Sequence, residues 1–244
     1  VSDKYAFVPT FKLLDTFRDA GYYPIMASES KAREENQSYQ KHIIQLRSLE
    51  NLLRPNAKDE YEDIVLTNSH NRTSSFIVDL AILRIVCSNM LVVPSKSFVH
   101  ASIVHVGFTN EKVKNAIAEV TSYMPKIKEL VATFKSIHLS KAEEQMLANA
   151  AIDIRFDTNT HYIKADELLK VNYEEDYVPT LWSAYNRIQE AMIRGGVKMK
   201  NLITNKTFTS KAINGIDATI KFNKELFEAV EQVALLKSNH NLAA

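Results

Sequence analysis

Apolar residues fall at helical spacing through much of the second half of the chain, and at strand-like spacing through much of the first. From Thr10, the positions Phe11, Leu14 and Phe17 predict a helix that Gly21 ends, because a glycine accepts the left-handed backbone of a helix C-terminus. Residues 23–28 and 39–46 predict two strands across a charged turn at 29–36, and a polar connection at 50–62, carrying Pro55, leads to a strand at 64–67. Residues 74–89 are apolar without a decisive period, which leaves helix and strand both open. Residues 90–93 and 97–108 predict further strands, the second ended by Gly107. Val113, Ile117, Val120, Met124, Ile127, Val131 and Phe134 then recur four and three apart. That stripe predicts a long helix from near Thr109, kinked or split at Pro125. Ser140 with Glu143 predicts a capping box opening another helix. An acidic connection at 157–176 precedes a helix at 180–194 ended by Gly195 and Gly196, and a last helix is predicted from 215 or 216 to 236.

Strands first and helices later give an α+β fold: an antiparallel sheet in the N-terminal half packed by a long helix, then a mostly helical C-terminal part. The expected division is an α+β core at 1–139 and a helical region at 140–244, packed on the core as a single unit. No internal repeat is visible.

Composition narrows the chemistry. The chain has 244 residues, 45% hydrophobic and 24% charged, and a net charge of +1, so a nucleic-acid surface has to be a local patch. Cys87 is the only cysteine, which excludes an internal disulfide and points to a reducing, cytoplasmic setting. No apolar run is long enough to span a bilayer and no signal-like start is seen, so no membrane partner is expected. With only 5 glycines, neither phosphate-binding glycine motif occurs, and no cofactor is expected.

Candidate chemistry is mostly basic. Residues 187–224 carry eight basic side chains (Arg187, Arg194, Lys198, Lys200, Lys206, Lys211, Lys221, Lys224) against Glu190 and Asp217. Residues 198–211 add the hydroxyls of Thr204, Thr207, Thr209 and Ser210 and the ring of Phe208, the donors and stacking platform that single strands use. The alternative is a solvated loop with ordinary lysines. In an extended strand, Lys41, Ile43, Gln45 and Arg47 share one face and His42, Ile44 and Leu46 the other. Lys41 and Arg47 are thus phosphate candidates, with Arg33 in the preceding turn, while His42 belongs to the apolar side.

Asn68, Ser69 and His70, with Arg72 close by, read as a polar turn or ligand contact ahead of catalysis, because neighbours on a strand point to opposite faces and no nucleophile elbow exists. His100 and His105 face opposite ways on a strand, so no shared metal is expected. Arg187 and Arg194, seven apart, lie on a common helix side and either pair with the acidic connection or meet phosphate. Trp182, Tyr185, Ile188, Gln189 and Met192 line a face read as core.

Ordered segments along essentially the whole chain resemble a phage- and plasmid-like family, domain of unknown function 932. They run from Val8-Pro9-Thr10 and Gly21-Tyr22-Tyr23-Pro24 through residues 41–47 and Leu66-Thr67-Asn68-Ser69-His70. Arg84, Val86-Cys87, Asn89, His105 and Gly107 follow. The most specific match is Leu181-Trp182 through Tyr185-Asn186-Arg187-Ile188-Gln189-Glu190 to Gly195-Gly196, closed by Asn214-Gly215-Ile216-Asp217 and Asn223. Gln45 stands where an arginine is usual, Met90 where a glycine is usual, and the tail after Gly196 is arginine-poor. By analogy with phage single-strand annealing proteins, the resemblance implies a protein that holds single-stranded DNA in a basic groove and promotes annealing in recombination. Such a protein would work as a homo-oligomeric ring or filament and need no catalytic residue. The rival readings are a Mg²⁺-dependent nuclease using His70 or His105, and a host-takeover protein binding a bacterial protein through an apolar surface.

Overall fold

The computed structural model describes residues 9–30, 40–53, 60–69, 76–84, 90–92, 101–103 and 108–242. The chain forms two compact units, residues 1–125 and 126–244, so the division falls at the predicted break in the long helix and ahead of residue 139.

The first unit opens with α1 (Thr10–Asp19), and Gly21 at φ +84° turns the chain into β1 (Tyr22–Glu29). β2 (His42–Ser48), a short helix α2 (Leu49–Leu53), β3 (Glu60–Asn68) and β4 (Phe76–Arg84) follow. β5 (Met90–Val92) and β6 (Ala101–Ile103) are short, and α3 (Asn110–Thr121) closes the unit. The strands pair antiparallel in the order β1-β2-β3-β4-β5, and β6 also pairs with β4. The undecided segment at 74–89 therefore contains a strand.

Register explains the layers. Ile44, Leu66 and Val78 lie in one cross-strand row and Leu46, Ile64 and Leu80 in the next. All six are buried, as are Leu13 and Phe17 of α1 and Val113, Ile117 and Val120 of α3, and both helices pack on the strands. The alternate positions form a second face of different character: Gln45, Arg47, Asp63, Thr67 and Asp79 are buried there with Tyr61 and Val65.

The predicted long helix is two helices. α3 is capped by Thr109, whose hydroxyl accepts from the Lys112 N–H, and α4 (Met124–Ser136) restarts with Pro125 in its first turn, where a missing N–H costs nothing. α5 (Lys141–Arg155) opens with the predicted capping box.

In the second unit, β7 (His161–Ile163) and 3-10 turns at Ala165–Glu167 and Glu174–Asp176 occupy the acidic connection. α6 (Leu181–Arg194), β8 (Lys198–Asn201), β9 (Thr207–Thr209) and α7 (Ile216–Leu242) complete the chain. Helices α5, α6 and α7 pack together around Leu147, Tyr185, Ile188 and Phe227, with Tyr185 edge-on to Phe227 at 5.8 Å. Nearly all of α6 is buried, so its polar residues need internal partners. The C-terminal part is mostly helical but also holds a sheet that periodicity does not predict, with strand order β7-β8-β9.

Candidate nucleic-acid interface

Among the described residues, one face of this small sheet is basic and exposed. Gly195 and Gly196, at φ +74° and +79°, swing the chain out of α6 into β8. A Cβ on Gly195 would stand 2.6 Å from the backbone of Lys211 and Ala212, so the close approach requires glycine. The base of the β8–β9 hairpin is pinned by Gly196 N–H to Ser210 O and Ser210 N–H to Val197 O. Arg155 of α5 donates to the carbonyls of Met192 and Lys211 and locks the same corner.

Antiparallel register then sorts the side chains. Tyr162, Lys200 and Thr207 are in one row, and Lys198 and Thr209 in the next. All five are exposed, and Tyr162 shows 55% of its surface. The opposite face holds buried Ile163 and Met199 together with Phe208, which lies edge-on to His161 at 5.9 Å. The aromatic ring among the lysines is thus Tyr162, not Phe208. Lys164 follows β7 at the rim, and Lys206 stands on the returning leg of the hairpin. Among the described residues, none of Lys198, Lys200, Lys206 and Lys211 is held in an ion pair, and all four are exposed. Glu167 borders the face. The Lys170 ammonium bonded to it, and more weakly the nearby charges of Lys198 and Lys164, hold its carboxyl below the usual range.

The remaining predicted contacts separate from this surface. Arg47 is buried against Asp63, with Nε–Oδ1 at 2.9 Å and a terminal nitrogen 2.8 Å from Oδ2, and its guanidinium lies 4.2 Å above the Tyr61 ring. Gln45 donates to the same carboxylate at 2.6 Å. Gln45 and Arg47 share one strand face, as their spacing predicts, but Arg47 serves a buried pair, not phosphate. Lys41 precedes β2 and is half-buried. Asn68 is buried too: its Nδ2 donates to Thr10 Oγ1 at 3.0 Å and its Oδ1 accepts the Ser69 N–H. It ties α1 to the sheet and is no surface ligand. His42 completes that link, with Nε2 2.7 Å from Thr10 Oγ1. Arg33, His70, Arg72, His100 and His105 lie outside the described residues.

Arg187 and Arg194 do share one side of α6, and both line a cleft of about 190 Å³ with Glu190, Lys170, Gly195 and Gly196. Their charges are already answered. Arg187 is buried, pairs with Glu144 of α5 and donates to Leu169 O. Arg194 pairs with Glu190, which also accepts from the Tyr173 hydroxyl at 2.8 Å. Arg187 therefore holds helices together, and Arg194 is the more exposed of the two.

Tyr162 and Lys164 are not among the contacts that the sequence predicts. The alternation His161-Tyr162-Ile163 was the available signal, obscured by the acidic residues around it. Among the described residues, no three His, Cys, Asp or Glu side chains group as metal ligands, and no helix is long and apolar enough to cross a membrane.

The fold and this face define an α+β protein whose second unit carries an exposed lysine-rich sheet. The chain belongs to the family described as Domain of unknown function (DUF932), whose model matches residues 1–227. It is similar to the UPF0380 protein YfjQ of Escherichia coli (strain K12), 30% identical over 231 residues, which cover 94% of this chain and 82% of that protein. UPF0380 protein YafZ of the same organism is 29% identical over 231 residues, with the same shares covered. No solved structure matches the chain.

Proposed function

We propose that this protein binds single-stranded DNA on the outer face of the β7-β8-β9 sheet and promotes annealing of complementary strands in a phage or plasmid setting. The observation that carries the reading is the row of Tyr162, Lys200 and Thr207 beside Lys198 and Thr209, all exposed on one face. Lysines answer phosphates, threonine hydroxyls donate to their oxygens, and an exposed tyrosine gives a base a ring to stack on without reading its sequence. Recognition of backbone and ring faces leaves base edges free to pair, and pairing makes no covalent bond. One such face covers few nucleotides, so annealing by this route would use several copies along a strand, in a ring or filament. Arg47, Asn68 and Arg187 have no part in it, since each is buried on an internal partner.

Fluorescence anisotropy with labelled single-stranded and duplex oligonucleotides tests the reading. Tighter binding of single strands is expected, with Lys198→Ala plus Lys200→Ala weakening it and steeply reducing its response to salt. Tyr162→Ala should cost about 1–3 kcal/mol, the range for one lost base stack. Absence of single-strand binding at low salt, or unchanged affinity in the double lysine variant, would overturn the proposal. A companion assay following two complementary oligonucleotides reads annealing itself.

A further inference from the structure

The β8–β9 hairpin ends in two large apolar side chains held in solvent, Leu202 at 47% and Ile203 at 74% exposure. They do not sit on a slack loop. Asn201 Oδ1 accepts the N–H groups of Ile203 at 3.0 Å and Thr204 at 2.7 Å, and Asn201 N–H donates to Lys206 O. Asn205 takes the left-handed conformation, φ 57°, that closes the turn. Leu202 N–H donates to Thr160 O, which extends the ladder with β7 by one residue. The alternation therefore carries Leu202 onto the face of Lys198 and Lys200, and it lies at most ~7 Å along the chain from Lys200. Lys206 returns on the other leg opposite Asn201, so the same alternation directs it to the other face. The outcome is a braced apolar tip with cations on both sides.

Resting on the reading of the lysine face as a strand-binding surface, we infer that this tip inserts Leu202 and Ile203 between neighbouring bases of the bound strand. The occupant is chosen by charge complementarity. Phosphates flank every base step, and here lysines flank the apolar pair on both legs, the arrangement used by side chains that wedge into stacked bases. A tip already fixed by its own hydrogen bonds loses little freedom on insertion. Its use would be to break the self-stacking of a strand, so that bases are presented one by one for pairing.

The test uses the full chain and an oligonucleotide carrying 2-aminopurine between purines. Anisotropy reads binding, and 2-aminopurine emission reads unstacking. The wild-type protein should bind and raise the emission severalfold. Leu202→Ser combined with Ile203→Ser should bind within about tenfold of wild type and lose the rise, while Ile203→Phe should keep it. Binding without a rise, or a full rise in the serine variant, would overturn the insertion while leaving the lysine face standing. Failure of every form to bind would remove both. Tip-dependent binding to phosphatidylserine vesicles, with no rise on DNA, would assign the tip to a lipid surface and overturn the inference.

Discussion

A basic residue on a strand can be a phosphate ligand or half of an internal pair, and only its neighbours across the sheet decide which. Arg47 illustrates the second case: its side chain is 9% exposed and that of Asp63 is fully buried. With both guanidinium contacts and the Gln45 amide converging on one carboxylate, removal of a single partner would leave a desolvated charge. Arg47→Met should therefore destabilise the fold by about 3–5 kcal/mol, read by urea denaturation, whereas replacing Arg47 and Asp63 together by apolar residues should cost far less. Single-strand affinity of the folded Arg47→Met protein should not change. A large affinity loss without a stability loss would restore Arg47 as a DNA contact. Arg187 and Glu144, forty-three residues apart in sequence on two helices, pose the same problem in the second unit. Nothing in the local pattern around Arg187 names Glu144, so its role was legible only once the helices had packed.

Elements announced by chain punctuation are legible in the sequence, and so are most strands of the first sheet, whereas the small second sheet is not. The Ser140 box, the Pro125 break and the Gly195-Gly196 stop each act within a few residues, so sequence carries them. β8 and β9 are four and three residues long, too short for a period to show, and the sheet is completed only by pairing of β8 with β7, over thirty residues earlier. β4 is ambiguous for another reason: both its faces are buried, so Val78, Leu80, Ala81 and Ile82 are apolar without a strict alternation. The Ser140 box also predicts a response to pH. A hydrogen bond from Lys237 of α7, followed by those from the Ser140 N–H and hydroxyl, lowers the Glu143 carboxyl to about 2. A depressed carboxyl contributes stability that is present above the unfolded-state value near 4.5 and is lost as pH falls toward 2. The pair is partly exposed, so the contribution is small and screened by salt. An NMR titration should place the Glu143 midpoint near 2, and Lys237→Ala should raise it. Ser140→Ala should raise it too and cost about 1 kcal/mol of stability. A midpoint unmoved by Lys237→Ala would break the assignment.

At the scale of the molecule, a net charge of +1 means that nothing draws a polyanion to the chain as a whole, and attraction has to come from segregation. The proposed face lies entirely within residues 126–244, which form a compact unit with their own core around Tyr185 and Phe227. Its hydrogen-bonded supports, Arg155 and the Gly195-Gly196 corner, belong to that unit as well. A fragment of residues 126–244 should then fold, as judged by cooperative thermal unfolding, and should bind single strands with the salt dependence of the full chain. If Lys164, Lys198 and Lys200 each meet one phosphate, the logarithm of the binding constant should fall with the logarithm of salt with a slope of about −2, and of about −0.7 after Lys198→Ala with Lys200→Ala. Equal slopes in fragment and full chain would locate the electrostatic contacts in this unit. A folded fragment with a slope near zero, beside a full chain that binds with a steep one, would transfer them to residues 1–125 and leave the lysine sheet as a solvated face.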